Sequence, residues 1–161
     1  MRIKTVIILI STFLFLSSVY GQELSDQVQG VWVIKKFQCA GQFGMTNQMA
    51  EFYINDTISI NKYIKRTLDE NEFTKAAGVS PTVCEFLPIK TFRIEDPNKY
   101  FFDKFEIKPI LLGIKESSKV VVIITNCKDD LFKEIYLDVD NNKILLFTQG
   151  VFFILDHIGK Q

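Results

Sequence analysis

A single histidine is all this chain has, and it contains no Cys-x-x-Cys pair, no glycine-rich phosphate loop and no Gly-x-Ser-x-Gly elbow. Each absence removes a class of chemistry. His157 alone cannot build a multi-histidine metal centre, and Cys39, Cys84 and Cys127 lack the close pairing of structural zinc sites. Carboxylates are plentiful, but none form a recognisable catalytic pair, and no nucleophile motif accompanies them. The residues therefore point to no enzyme, no cofactor and no metal. An excess of charge is missing too. Nineteen basic side chains face nineteen acidic ones, which gives no electrostatic reason to expect nucleic acid or an anionic membrane as partner.

What the chain does have begins with an apolar leader. Arg2 and Lys4 precede a run from Val6 to Leu16, and Ser17-Ser18-Val19-Tyr20-Gly21 supplies small residues at a cleavage point after Gly21. This is the layout of a secretory signal peptide over residues 1–21, and its apolar run is short for a spanning helix. No later run approaches a membrane span, and no cysteine follows the leader where a lipid anchor would attach. The mature chain is expected to be secreted, or periplasmic if the source is a Gram-negative bacterium, without inserting into a membrane. Residues 22–161 suit one domain with a sizeable core. In an exported protein, three cysteines predict one disulfide and one free thiol among Cys39, Cys84 and Cys127, and spacing does not choose the pair.

Period-two alternation dominates the mature chain. Gly30–Phe37 reads as a first strand. MAEFYI (49–54) and TISINKYIKR (57–66) read as a hairpin about Asn55-Asp56, with Phe52, Ile54, Ile58 and Ile60 on one face. IKTFRI (89–94), KYFFDKFEI (99–107), ILLGI (110–114), KVVVIIT (119–125) and KEIYLDV (133–139) follow, broken at Asp96-Pro97-Asn98, Lys108-Pro109 and Glu116-Ser117-Ser118. The tail reads as two further strands hinged at Gly150. A short helix capped by Asn142 is the other reading of residues 143–149. Eight or nine short strands without a repeat mean an all-β fold, either a sandwich or an antiparallel up-and-down barrel. Thirteen phenylalanines beyond the leader imply a large dry interior, packed or hollow.

Gly30-Val31-Trp32, at the start of the first mature strand, resembles the G-x-W signature of the lipocalins. In that family the tryptophan plugs the closed end of an eight-stranded barrel. MAEFYINDTISINKYIKR is similar to the family's second and third strands, and KESSKVVVIITNC to a late strand that often ends in a cysteine, here Cys127. The family's T-D-Y element is absent at Glu116-Ser117-Ser118, and no arginine follows residues 133–139 to stack on the tryptophan. Lys133 or Lys143 is the available cation for that ring.

The resemblance implies a calyx that carries a small hydrophobic molecule of fatty acid, sterol, retinoid or haem class. Gly30 and Trp32 would then be structural. Alternation offers Phe52, Ile54, Ile58, Ile60, Phe101, Phe105, Ile107, Val121 and Ile123 as ligand-lining residues. The alternative is a secreted module with a filled barrel that binds a protein through loops 39–49 and 69–88. An isomerase-like activity would need a free thiol at Cys39 or Cys84. Asn55-Asp56-Thr57 is an N-glycosylation sequon, relevant in a eukaryotic host, and DVDNN (138–142) is a solvated turn rather than a calcium loop. Trp32→Ala is expected to cost about 3–5 kcal/mol in denaturant unfolding, as for a buried aromatic. A near-neutral result would remove the basis of the resemblance.

Overall fold

The computed structural model describes residues 26–41, 44–68 and 82–159. The leader and residues 69–81 of the second loop lie outside these. Nine strands form one antiparallel sheet: β1 (Gly30–Cys39), β2 (Thr57–Ile60), β3 (Tyr63–Thr67), β4 (Val83–Glu85), β5 (Pro88–Ile94), β6 (Val120–Thr125), β7 (Glu134–Asp138), β8 (Lys143–Thr148) and β9 (Val151–Gly159). Their spatial order is β4-β3-β2-β1-β9-β8-β7-β6-β5. The sheet is a strongly curled half-barrel, so the all-β, up-and-down reading holds.

The two edges of that order are consecutive in the chain. Only Phe86 and Leu87 separate β4 from β5, a link that spans about 10 Å at full extension. An even number of antiparallel steps also separates these edges, so both run in the same direction. Together they are one bent strand that pairs with β3 along its first half and with β6 along its second. Phe86 N–H donates to Lys62 O on one side, and Asn126 N–H donates to Leu87 O on the other. The Cys84–Cys127 disulfide, with Cα atoms 5.7 Å apart, links β4 to the segment following β6. Beside it, Thr82 Oγ1 donates to Asp129 Oδ2 at 2.7 Å. Cys39 is the free thiol.

Side chains on both faces of the sheet are buried. Trp32, Ile58, Ile64, Val121, Ile135 and Phe153 belong to an inner core. Val120, Val122, Tyr136, Leu145, Phe152 and Ile154 belong to an outer one. This explains why VVVIIT has no polar alternation: burial on both sides demands an unbroken apolar run. In β1 a register shift between Ile34 and Lys36 leaves Lys35 as an extra residue. It reverses the parity, so Trp32 and Ile34 join the inner core while Phe37 and Cys39 pack against it further along the same strand.

Several predicted strands take other forms. KYFFDKFEI is helix α2 (Pro97–Phe105). Asp96 caps it by accepting from Lys99 N–H at 3.0 Å, Pro97 suits its first turn, and Glu106 ends it in the left-handed region. ILLGI is largely a 3-10 turn, η1 (Pro109–Leu112), stopped by left-handed Gly113. MAEFYI is the end of helix α1 (Asn47–Glu51) and a following turn, opened by the Thr46 cap. TISINKYIKR is two strands, because Asn61 Oδ1 accepts from Tyr63 N–H and turns the chain. Residues 143–148 are strand, not helix. A second 3-10 turn, η2 (Asp130–Phe132), precedes β7.

Trp32 is wholly buried, and its indole N–H donates to Val28 O at 2.9 Å. Neither Lys133 nor Lys143 covers it. His157 on β9 does, edge to face, with ring centroids 4.8 Å apart. This contact explains Gly30. Its φ is +144°, and a Cβ there would stand 2.5 Å from His157 Nε2 and 2.9 Å from Gly159 O.

Removing the disulfide by Cys84→Ser with Cys127→Ser is expected to lower stability by about 4 kcal/mol, the chain-entropy figure for a loop of this length. Urea unfolding of the mature protein checks it, and a loss under 1 kcal/mol would mean that the bent strand holds its place without the link.

Candidate binding surface

The lining residues expected from alternation do not share one wall. Ile58, Ile60, Val121 and Ile123 meet in the inner core, and Ile54 packs at its margin. Phe52 is half-buried in the turn after α1. Phe101, Phe105 and Ile107 lie on the opposite side of the sheet, in the outer core. The reason is the helix: Phe101 and Phe105 are spaced i, i+4 on the stripe that α2 presents to the sheet.

The inner wall is packed. Ile58, Ile64, Ile135, Ile144, Leu146 and Phe153 are all 0 % exposed. A void wide enough for a ligand would leave its lining open to water from inside, and these side chains present no such surface. One ionic element is buried at its margin. Arg66 Nε and Nη2 reach Asp56 Oδ2 at 2.7 and 2.6 Å. The guanidinium lies over the Tyr53 ring at 4.1 Å, and Tyr53 stacks on Phe153.

A polar cluster fixes α2 to the sheet. Lys104 Nζ donates to Glu134 Oε2 at 2.7 Å, to Tyr136 Oη at 3.2 Å and to Tyr100 Oη at 3.3 Å. Tyr136 donates to the same carboxylate through a short bond. Burial, the largest influence on Lys104, lowers its pKa, but the bonds to Glu134 and Tyr100 together carry it above the ordinary lysine value. Burial likewise acts to raise Glu134, yet the bonds from Lys104 and Tyr136 outweigh it and hold the carboxyl below its usual range. For Tyr136, burial and the Glu134 bond both act upward and keep the phenol protonated. The cluster is therefore a closed ion pair with a neutral phenol, a clamp with no spare base.

The thiols offer no better catalytic group. Cys84 is in the disulfide. Cys39 Sγ donates to Asn47 Oδ1 at 3.0 Å, and that amide cannot take a proton from it. Among the described residues no three of His, Cys, Asp and Glu gather as a metal site. DVDNN is a turn braced by its own chain, with Asp138 accepting from Asn141 Nδ2 and Asp140 from Lys119 N–H. Asn55 is exposed at φ +71° on the turn before β2.

A cluster of exposed apolar side chains lies outside the barrel, where α2 meets η1. Pro97, Phe101 and Phe105 face the sheet, so Asn98 and Phe102 form an adjacent stripe that is exposed. In η1, Pro109 and Leu112 are buried, which turns Ile110 and Leu111 outward. Phe102 is 58 %, Ile110 66 % and Leu111 55 % exposed. A groove of about 850 Å³ runs here, with Ile114 at its floor, Phe102 and Ile110 on its walls and Lys108, Lys115 and Glu116 among its rim. Residues 99–114 read as strands from their composition, and strands there would leave no such face. The i, i+4 spacing of Pro97, Phe101 and Phe105, behind an Asp-Pro helix start, was the available signal. No family model, curated protein or solved structure matches the chain.

Lys104→Met is expected to cost about 0.5–1 kcal/mol, because both charged partners are partly exposed. The sign follows from the two shifts. The lowered Glu134 contributes stability above its unfolded pKa and loses it as pH falls through the folded value. The raised Lys104 contributes below its unfolded pKa and loses it as pH rises through the folded value. The difference between wild type and variant should hold from about pH 5 to about pH 10 and shrink beyond both ends, as unfolding midpoints across pH would reveal.

Proposed function

We propose that this is an exported interaction module, a barrel with a filled interior that binds a protein partner through the α2–η1 face. The observation that carries the reading is the contrast between the two surfaces. The inner-wall residues are wholly buried, while three large apolar side chains on the outer face are more than half exposed beside a groove. Fully burying such a side chain is worth about 1.5–3 kcal/mol, and a contiguous exposed group of them marks an interaction site more often than chance. A ligand carried inside the barrel would require the inner wall to separate. The basic start and apolar run of residues 1–21, together with the disulfide, support export.

A lipocalin-like ancestry is part of the same proposal. It rests on Gly30-Val31-Trp32 and is supported by the ring formed when β4 and β5 count as one strand. His157 would take the place of the family's arginine over the tryptophan.

Two measurements test the reading. An organic extract of the mature protein from its native host should contain no stoichiometric hydrophobic compound by mass spectrometry, and titration with fatty acids, retinoids or haem should leave Trp32 fluorescence unchanged. The double variant Phe102→Ser with Ile110→Ser should unfold within about 0.5 kcal/mol of wild type, as for exposed positions outside the core. A stoichiometric extracted ligand would overturn the filled-barrel reading.

A further inference from the structure

We infer that the partner seated on the α2–η1 face is a second copy of this chain, related by a two-fold axis. The inference rests on reading that face as a binding surface, and the charge around it names the occupant. Glu106, the exposed left-handed residue that ends α2, and Glu116 on the rim supply two negative charges. Lys108 and Lys115 supply two positive ones. Among the described residues, none of the four has an ion-pair partner.

That balance argues against the simpler ligands. A long-chain carboxylate or an anionic bilayer drawn to Lys108 and Lys115 would meet Glu106 and Glu116 within the same few residues. A cationic partner would meet the reverse. A two-fold mate brings both signs in equal number, so each lysine pair can face the glutamate pair of the other protomer while Phe102, Ile110 and Leu111 pack across the axis. Met49, Tyr63 and Ile158 are exposed away from this face, and a second group carries less of an argument. Val83, Leu87 and Ile89 lie along the bent strand, but β5 also carries exposed Pro88, Lys90 and Arg93, the residues by which an open strand edge resists pairing.

The test is the mass of the mature protein in solution, by sedimentation equilibrium over a range of concentrations. Wild type should form a concentration-dependent dimer, and Phe102→Ser with Ile110→Ser should be monomeric. Lys108→Glu with Lys115→Glu should weaken self-association about tenfold or more, and so should Glu106→Lys with Glu116→Lys, because each places like charges across the axis. Mixing the two charge-reversed proteins should restore the dimer. Far-UV circular dichroism of each variant confirms that it is folded. A wild type that stays monomeric, or a mixture that fails to recover the dimer, overturns the inference. The two readings fail separately. A monomer that still binds an apolar fluorescent dye in a Phe102-dependent way keeps the surface and loses only the choice of partner. A monomer without such binding loses both.

Discussion

At Phe86–Leu87 the chain changes neighbours without changing direction. Up to Glu85 it is hydrogen-bonded to β3, and from Pro88 onward it is hydrogen-bonded to β6. Because the link is so short, the two ends of the nine-strand order cannot drift apart, and the sheet must curl. The Cys84–Cys127 bridge and the Thr82–Asp129 hydrogen bond hold the crossing from the β6 side. The inner core, the position of Trp32 against His157 and the convex face on which α2 rests all follow from that curl.

Burial on both faces of the sheet explains what the protein can and cannot offer a partner. The inner side chains of β6 to β9 are buried in the inner core, where they contribute to stability. The outer side chains of the same strands accept the Phe101–Phe105 stripe, and Lys104 locks the helix in place through Glu134 and Tyr136. A helix held this firmly presents its other stripe as a rigid surface. Binding through Phe102 and Ile110 would then need little ordering of the chain, which favours affinity for a given contact area.

Much of this was legible in the residues. The alternation in Gly30–Phe37, the turn signals at Asp140–Asn142 and Gly150, and the apolar density of 119–125 and 143–158 located β1 and β6 to β9 closely. The most consequential difference has a plain physical origin. KYFFDKFEI is rich in aromatics, and aromatic content marks strands only when nothing else organises it. Here Asp96 and Pro97 open a helix, and the apolar residues recur at i, i+4. Assigned as a strand, the segment put Phe101 and Phe105 on the wrong side of the sheet and hid the exposed face entirely. The Lys35 bulge and the choice of Cys84 with Cys127 depend on contacts between distant segments, which spacing does not encode.

The ladder between β1 and β9 has a consequence for how the protein is made. Its pairs, from Val31 with Gly159 to Cys39 with Val151, join residues separated by most of the chain. Trp32 receives its His157 cover only from that last strand. Until β9 emerges, β1 has one of its two neighbours missing and the ring cannot form. Contacts of such long sequence separation slow folding, so the chain stays open while it is being synthesised. A chain in that state keeps one edge of β1 unpaired, open to other strands until its own last strand arrives.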